Sequence, residues 1–152
     1  LDEVIGKTTP NIALLVGQAT GRETICLERT AYNTAHFGEV GDNAGHNAAG
    51  EKLIPEAPAQ LTSPLPLDRW VEHLTSQGTS TVVSDDAGRH LCNAVLFSML
   101  HRYPDIPAVF LHLPLLPEQS ERRAQGEPSL PLDASRKCLH EVIQLMAQHL
   151  GS

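Results

Sequence analysis

The sequence predicts an α/β fold, three layers deep (α/β/α), with a mostly parallel central sheet. Two observations carry that expectation. Short continuous apolar runs, such as Ile12-Ala-Leu-Leu-Val16 and the stretch over residues 106–113, read as strands buried on both faces. Between them lie segments of helical period, over residues 67–77 and 87–103. Strands that alternate with helices form parallel sheets covered on both sides. The 152 residues are 41% hydrophobic, enough for one core and a single domain spanning 1–152.

The elements follow in order. Asp2-Glu-Val-Ile5 has helical polarity and runs out at Gly6, with Pro10 beyond it. The chain starts at Leu1 inside this segment, so it reads as an N-terminally incomplete piece of a longer protein. After the strand at 12–16 comes the turn-forming loop Gly17-Gln-Ala-Thr-Gly-Arg22. Residues 23–31 alternate, Thr24, Cys26 and Glu28 on one side and Ile25, Leu27 and Arg29 on the other, which predicts a second strand. Residues 36–66 are rich in Gly, Pro, Asn and Ala without a sustained period and read as a long loop. A helix follows over 67–77, with Trp70, Val71 and Leu74 inward and Gly78 as its stop. Thr79 to Ser84 is β-branched and strand-like. The helix over 87–103 carries Leu91, Val95 and Met99 on one stripe, extended by Leu96 and Leu100, and stops at Pro104. Pro128 to Pro131 open a last helix that runs through about Leu150, with Leu139, Val142, Ile143 and Met146 inward and Gly151 as its stop.

Composition narrows the partners. A net charge of −7 and a pI near 5.5 argue against nucleic acid, whose phosphates call for a basic face. The longest apolar run is broken by Pro107, His112 and Pro114, so no transmembrane helix is expected, and no leader-like segment opens the chain. Three cysteines without C-x-x-C spacing indicate neither a disulfide scaffold nor a zinc knuckle. Free thiols and absent signals point to the cytoplasm. The eight histidines are scattered, and His140-Glu141 fails as H-E-x-x-H because Gln144 occupies the second ligand position. No metal is expected from the ligand spacing.

Cys92 falls within the first two turns of a predicted helix, where the dipole and unpaired amides favour a thiolate. The competing reading is a buried cysteine acting as a small hydrophobe, which suits Cys138 on its apolar stripe and Cys26 on its strand. His112 closes a buried strand, where an imidazole can take a thiol proton and later give it to a leaving amine. A core histidine bonded to a carbonyl is the alternative. Glu28 offers a carboxylate to orient that histidine, or else a solvated ion pair with its neighbour Arg29. No spacing rule links the three, because such groups assemble in space.

Several segments add a resemblance. Ser84-Asp-Asp-Ala-Gly-Arg-His-Leu-Cys-Asn93 resembles the nucleophile segment S-x-x-A-G-x-x-x-C-N of the pyroglutamyl-peptidase I (pyrrolidone-carboxylate peptidase) family of cysteine peptidases. Phe110-Leu-His-Leu-Pro114 is similar to that family's F-I-H-x-P histidine segment, and Leu27-Glu-Arg-Thr-Ala-Tyr-Asn33 to its I-E-R-x-A-x-N glutamate segment. The loop at Gly17 to Arg22, the turn Asp42-Asn-Ala-Gly45 and the tail Pro114-Leu-Leu-Pro-Glu-Gln119 match further family motifs in the same order.

The resemblance implies removal of N-terminal pyroglutamate (5-oxoproline) from peptides without a metal or cofactor. Cys92 would be the nucleophile, His112 the general base and then acid, and Glu28 the orienting group of a Cys-His-Glu triad working through a thioester. By alignment to the family's pocket, the main chain at Gln18 and the side chains of Phe37, His90 and Leu91 would receive the substrate. Peptides are the implied partners, and family members often form homo-oligomers.

The chain also departs from the family. It has no counterpart to the first strand's T-G-F-x-P-F, whose aromatic residues pack on the pyroglutamyl ring, so the resemblance covers roughly the last two-thirds of a normal member. Lack of that strand predicts an exposed sheet edge. The D-A-R-I-P-D-N segment becomes residues 34–43 here, with His36 in place of the active-site arginine and extra residues inserted. The alternative function is a catalytically impaired homologue or fragment that acts as a binding or assembly module.

Overall fold

The computed structural model describes residues 1–37, 41, 44–123 and 126–151. Its elements are α1 (Asp2–Thr8), β1 (Ala13–Gln18), β2 (Ile25–Glu28), β3 (Thr30–Tyr32), β4 (Ala35–His36), β5 (Ala49–Glu51), β6 (Gln60–Thr62), α2 (Leu67–Ser76), β7 (Thr81–Ser84), α3 (Leu91–Arg102), β8 (Ala108–Leu113), α4 (Pro117–Ser120) and α5 (Leu132–Leu150). The central sheet has the order β1-β8-β2-β7. β1 runs parallel to β8 and β2 parallel to β7, whereas β2 and β8 meet antiparallel with Cys26 opposite His112 and Glu28 opposite Phe110.

Alternation along β2 and β8 sorts the side chains onto two faces. Ile25, Leu27, Val109 and Leu111 point to one face and pack in a core with Leu67, Trp70 and Leu74 of α2 and Cys138, Val142 and Met146 of α5. Phe110 points the other way, into a cluster with Leu96 and Phe97 of α3 and Ala31 of β3. Ile5 of α1 reaches the same side, beside Met99 and Ala108. Two layers of helix therefore enclose the sheet. Four of the inward strand residues, Ile25, Leu27, Val109 and Leu111, are fully buried. Burial of such a side chain contributes about 1.5–3 kcal/mol.

Several expectations change in detail. Where a mostly parallel sheet was expected, an antiparallel seam turns the carboxyl ends of β1 and β8 away from those of β2 and β7, so Gln18 and His112 lie at one end of the sheet and Ser84 at the other. What brings the strands' functional residues together is instead the shared face over the seam. The second strand breaks at Arg29 into β2 and β3, and the loop over 36–66 holds β5 and β6, which pair with β4 and β3. The third helix begins at Leu91 and not at residue 87. Gly88 adopts a left-handed φ of 79° and donates its N–H to Asp86 Oδ1 at 3.0 Å, which holds residues 86–88 in a turn. Consequently Cys92 is the second helical residue. Leu91 and Val95 face outward, as does Ile143 of α5, while Asn93, Leu96, Phe97 and Met99 form the buried side of α3.

β1 and β7 are the edges of the sheet, and Val16 on β1 is 47% exposed. The turn at 42–45 lies partly outside the described residues, as does half of the altered segment at 34–43. Among the described residues no helix is long and apolar enough to cross a membrane.

The segment between β5 and β6 is anchored by a buried polar side chain. Asn33 Nδ2 donates to the carbonyls of Ile54 and Ala57, at 2.7 and 3.1 Å, and its Oδ1 accepts the Ile54 N–H at 2.9 Å. Asn33→Ala strands all three groups, so we expect the midpoint of urea unfolding to fall by the equivalent of about 1–3 kcal/mol. An unchanged midpoint would show that the segment is held by other contacts.

Candidate active site

β8 delivers His112 to the α3 side of the sheet, with 3% of its surface exposed. Across the antiparallel seam β2 delivers Glu28, which has no exposed surface. His112 Nδ1 donates to Glu28 Oε1 at 2.7 Å. This bond orients the ring and leaves Nε2 for other chemistry. Glu28 does not pair with its neighbour Arg29, whose guanidinium instead binds Asp85 through two contacts of 2.6 and 2.9 Å and reaches Asp68 at 3.1 Å. Its second cation is Arg22, whose Nη2 lies 3.1 Å from the same Oε1.

Cys92 reaches this pair from above, on the first turn of α3. Its thiol lies close enough to His112 to favour the charged form of the imidazole. The N-cap residue His90 supplies no side-chain bond to the helix start, so no cap side chain occupies the first amides of α3. Burial works against a charged imidazole at position 112, but the interactions with Cys92 and Glu28 outweigh it and push its pKa up to about 9. A cysteine beside an imidazole that favours its charged form is an arrangement able to activate a sulfur nucleophile. Burial raises the pKa of the Cys26 thiol, despite the nearby Arg22. Burial and the charge of Glu141 push Cys138 up to about 12. Both fit the packing role their positions suggested.

The approach to the sulfur is narrow on the β1 side. A Cβ on Gly17 would stand 3.4 Å from Cys92 Sγ and only 2.7 Å from the tip of the Phe110 ring, so glycine is required for this close passage. In front of the thiol opens a trough of about 360 Å³, lined by Leu14, Leu15, Val16 and Gly17 of β1, Phe110, and Leu91, Cys92 and Val95 of α3. The outward stripe of α3 is therefore a wall of this trough.

The other expected residues fall nearby in different ways. Leu91 lines the trough, and His90 stands exposed at the helix start with its ring 5.0 Å from that of Phe37, edge to face. The Gln18 side chain is committed elsewhere, donating to Gln119 Oε1 at 2.6 Å, so only its main chain is free for a substrate. His36 is exposed, and its backbone N–H donates to the Arg89 carbonyl at 2.7 Å.

Two side chains were not singled out from sequence. Asn93 is fully buried; its Nδ2 donates to the carbonyls of Tyr32 and Thr34, and its Oδ1 accepts the Tyr32 N–H at 2.7 Å, tying the start of α3 to the strands below. Arg22 closes the back of the site. A buried-side asparagine next to the cysteine was the only local signal for the first. For Arg22 it was a lone cation ending a glycine-containing loop. Among the described residues no three His, Cys, Asp or Glu side chains are arranged to hold a metal ion.

Comparison with known proteins places this geometry. A family model described as pyroglutamyl peptidase matches residues 1–149. The pyrrolidone-carboxylate peptidase of Escherichia fergusonii is 34% identical over 146 residues, covering 94% of this chain and 67% of that protein. That of Bacillus velezensis is 35% identical, covering 98% and 70%. The crystal structure of pyroglutamyl peptidase I from Bacillus amyloliquefaciens superposes with a TM-score of 0.82 at 36% identity, over 91% of this chain and 67% of that one. A mutant pyrrolidone carboxyl peptidase from Pyrococcus furiosus superposes with a TM-score of 0.88 at 29% identity, over 98% and 74%. The chain, built around a buried His112–Glu28 pair with a cysteine at a helix start, belongs to the pyroglutamyl peptidase family of cysteine peptidases.

Proposed function

We propose that this chain hydrolyses N-terminal pyroglutamate from peptides, with Cys92 as nucleophile, His112 as general base and then general acid, and Glu28 as the group that orients His112. The observation that carries the reading is the buried bond from His112 Nδ1 to Glu28 Oε1, with the Cys92 thiol beside the same imidazole at the start of α3. The family assignment gives that arrangement its substrate. The Cys92 thiolate attacks the carbonyl carbon of the pyroglutamyl residue, and its proton rests on His112. The resulting oxyanion is stabilised by first-turn amides of α3, at about 2.7–4 kcal/mol per well-placed donor. His112 passes the proton to the departing amine as the C–N bond breaks and a thioester forms. Water, deprotonated by His112, then cleaves the thioester and releases pyroglutamate and free thiol. The apolar trough beside the thiol suits a small lactam ring, with main-chain groups at Gln18 for its polar edge and the Phe37–His90 pair at the start of α3 as a further wall in this reading. Three free thiols, one of them the nucleophile, suit a reducing compartment such as the cytoplasm.

The direct test is fluorophore release from a pyroglutamyl arylamide. We expect turnover by the chain and none by Cys92→Ala. A soluble, folded chain without turnover would favour the impaired, binding-only homologue.

The pH dependence has a definite sign. His112 titrates near 9, above its ordinary 6.5, so the imidazolium persists through neutral pH and is lost as pH rises through about 9. A proton donor to the leaving amine disappears with it, and kcat/KM should fall above about pH 9. A profile that already falls at pH 7 would contradict this.

Two further outcomes follow from the sulfur's surroundings. Iodoacetamide should label Cys92 before the buried Cys26 and Cys138, as read by peptide mass spectrometry; prior labelling of either buried cysteine would contradict the assignment. Gly17→Ala should fold and yet lose about tenfold or more in kcat/KM, because the added methyl displaces Phe110 and crowds the thiol. Wild-type kinetics in that variant would show that the β1 side of the sulfur is not part of the substrate path.

A further inference from the structure

Arg22 is a charged side chain at the site for which the proposed reaction has no assigned role. It lies on the loop between β1 and β2, with 29% of its side chain exposed. Its Nη2 donates to Glu28 Oε1 at 3.1 Å and to the Asp86 carbonyl at 2.7 Å, while Nη1 reaches Cys26 Sγ at 3.5 Å. One guanidinium thus joins three segments: its own loop, the strand that bears Glu28, and the turn that leads into the helix of Cys92. Glu28 accepts both of its bonds, from His112 and from Arg22, on the same oxygen. Its Oε2 is buried and has no hydrogen-bond partner among the described residues.

A carboxylate without solvent needs a nearby cation, and truncating one partner of such a cluster leaves charge uncompensated. With Arg22 present, Glu28 is balanced from two sides and His112 is free to exchange its proton with the thiol. Without it, His112 would be the only cation on Glu28, and the Cys92 sulfur would face a more negative site.

We propose that Arg22 is a positioning residue of the peptidase reaction, which by clamping Glu28 to the Asp86 carbonyl sets the orientation of His112 and the charge balance under which the Cys92 thiolate forms. The inference rests on the roles proposed above for Cys92, His112 and Glu28. The groups that face this centre are Cys26 and Glu28 from β2, His112 from β8, Cys92 from α3 and Arg22 itself. The Asp86 carboxylate turns away to Arg89, at 2.6 Å.

The test is the rate of Cys92 alkylation by iodoacetamide as a function of pH, in the wild-type chain, Arg22→Gln and Arg22→Lys, with thermal unfolding measured alongside. Removing a cation disfavours the thiolate, so Arg22→Gln should move the alkylation midpoint upward by about half to one pH unit. Arg22→Lys keeps the charge but not the fork, so its midpoint should stay near wild type while kcat/KM falls about threefold or more. If Arg22→Gln does not fold, the lysine variant decides alone, by that same split. An Arg22→Gln profile superimposable on wild type, or a lysine variant with wild-type kcat/KM, overturns the proposal, whatever the change in unfolding temperature. Alkylation needs no substrate, so failure here is distinguishable from failure of the pyroglutamyl reading. In the latter case wild-type Cys92 alkylates normally yet no arylamide is cleaved.

Discussion

The bond from His112 to Glu28 across the antiparallel seam is the constraint on which the site depends. Both partners are withdrawn from water, and the carboxylate has no exposed surface at all. Such a group is tolerable only when its charge is met inside the protein. The register of β2 against β8 provides the means, placing Cys26 opposite His112 and Glu28 two residues further along the same face. A slip of one residue would send Glu28 to the opposite face, among Leu67, Leu74 and Val142. The apolar residues that alternate with the polar ones therefore protect the chemistry, because Ile25, Leu27, Val109 and Leu111 pack only in one register against α2 and α5.

The second requirement is to bring a thiol to that pair from another part of the chain. The turn between β7 and α3 is held for the purpose. Arg29 and Thr30 bind Asp85, the Asp86 carboxylate binds Arg89 and the Gly88 amide, and the Asp86 carbonyl receives Arg22. The Arg29 guanidinium, with Thr30, holds the Asp85 carboxyl down to about 2, so this anchor remains charged at any pH at which the protein works. Asn93 then secures the helix one residue after Cys92. Cys92 therefore stands on a firmly anchored start of α3, while the side facing the trough stays open.

Much of this was legible in the sequence, for identifiable reasons. Cys92, His112 and Glu28 were candidates because each carries reactive chemistry at a position of local contrast (a thiol near a helix start, an imidazole at the end of an apolar strand, a carboxylate on an alternating strand), and only the resemblance of their segments to a known family joined them. Helix α2 was found nearly to the residue, since Gly78 ends its period cleanly. The sheet's antiparallel seam was not legible, because β2 and β8 are far apart in sequence and each strand's pattern is the same in either direction. The start of α3 was placed too early because Ala87 and Leu91 continue an apolar spacing that the Asp86–Gly88 turn interrupts. The same continuity made Leu91 and Val95 look like core, when they wall the trough. Arg22 was hidden for a different reason: a cation at the end of a loop does not reveal, from sequence alone, that it will meet a buried carboxylate across the site.

The measurement that tests the central claim most directly is rapid-quench mass spectrometry of the intact chain mixed with a pyroglutamyl ester, followed by peptide mapping. Covalent catalysis through this site predicts a transient increment of one pyroglutamyl group, located on Cys92 and released on further incubation. Substrate turnover with no adduct, or with the adduct on another residue, would contradict it.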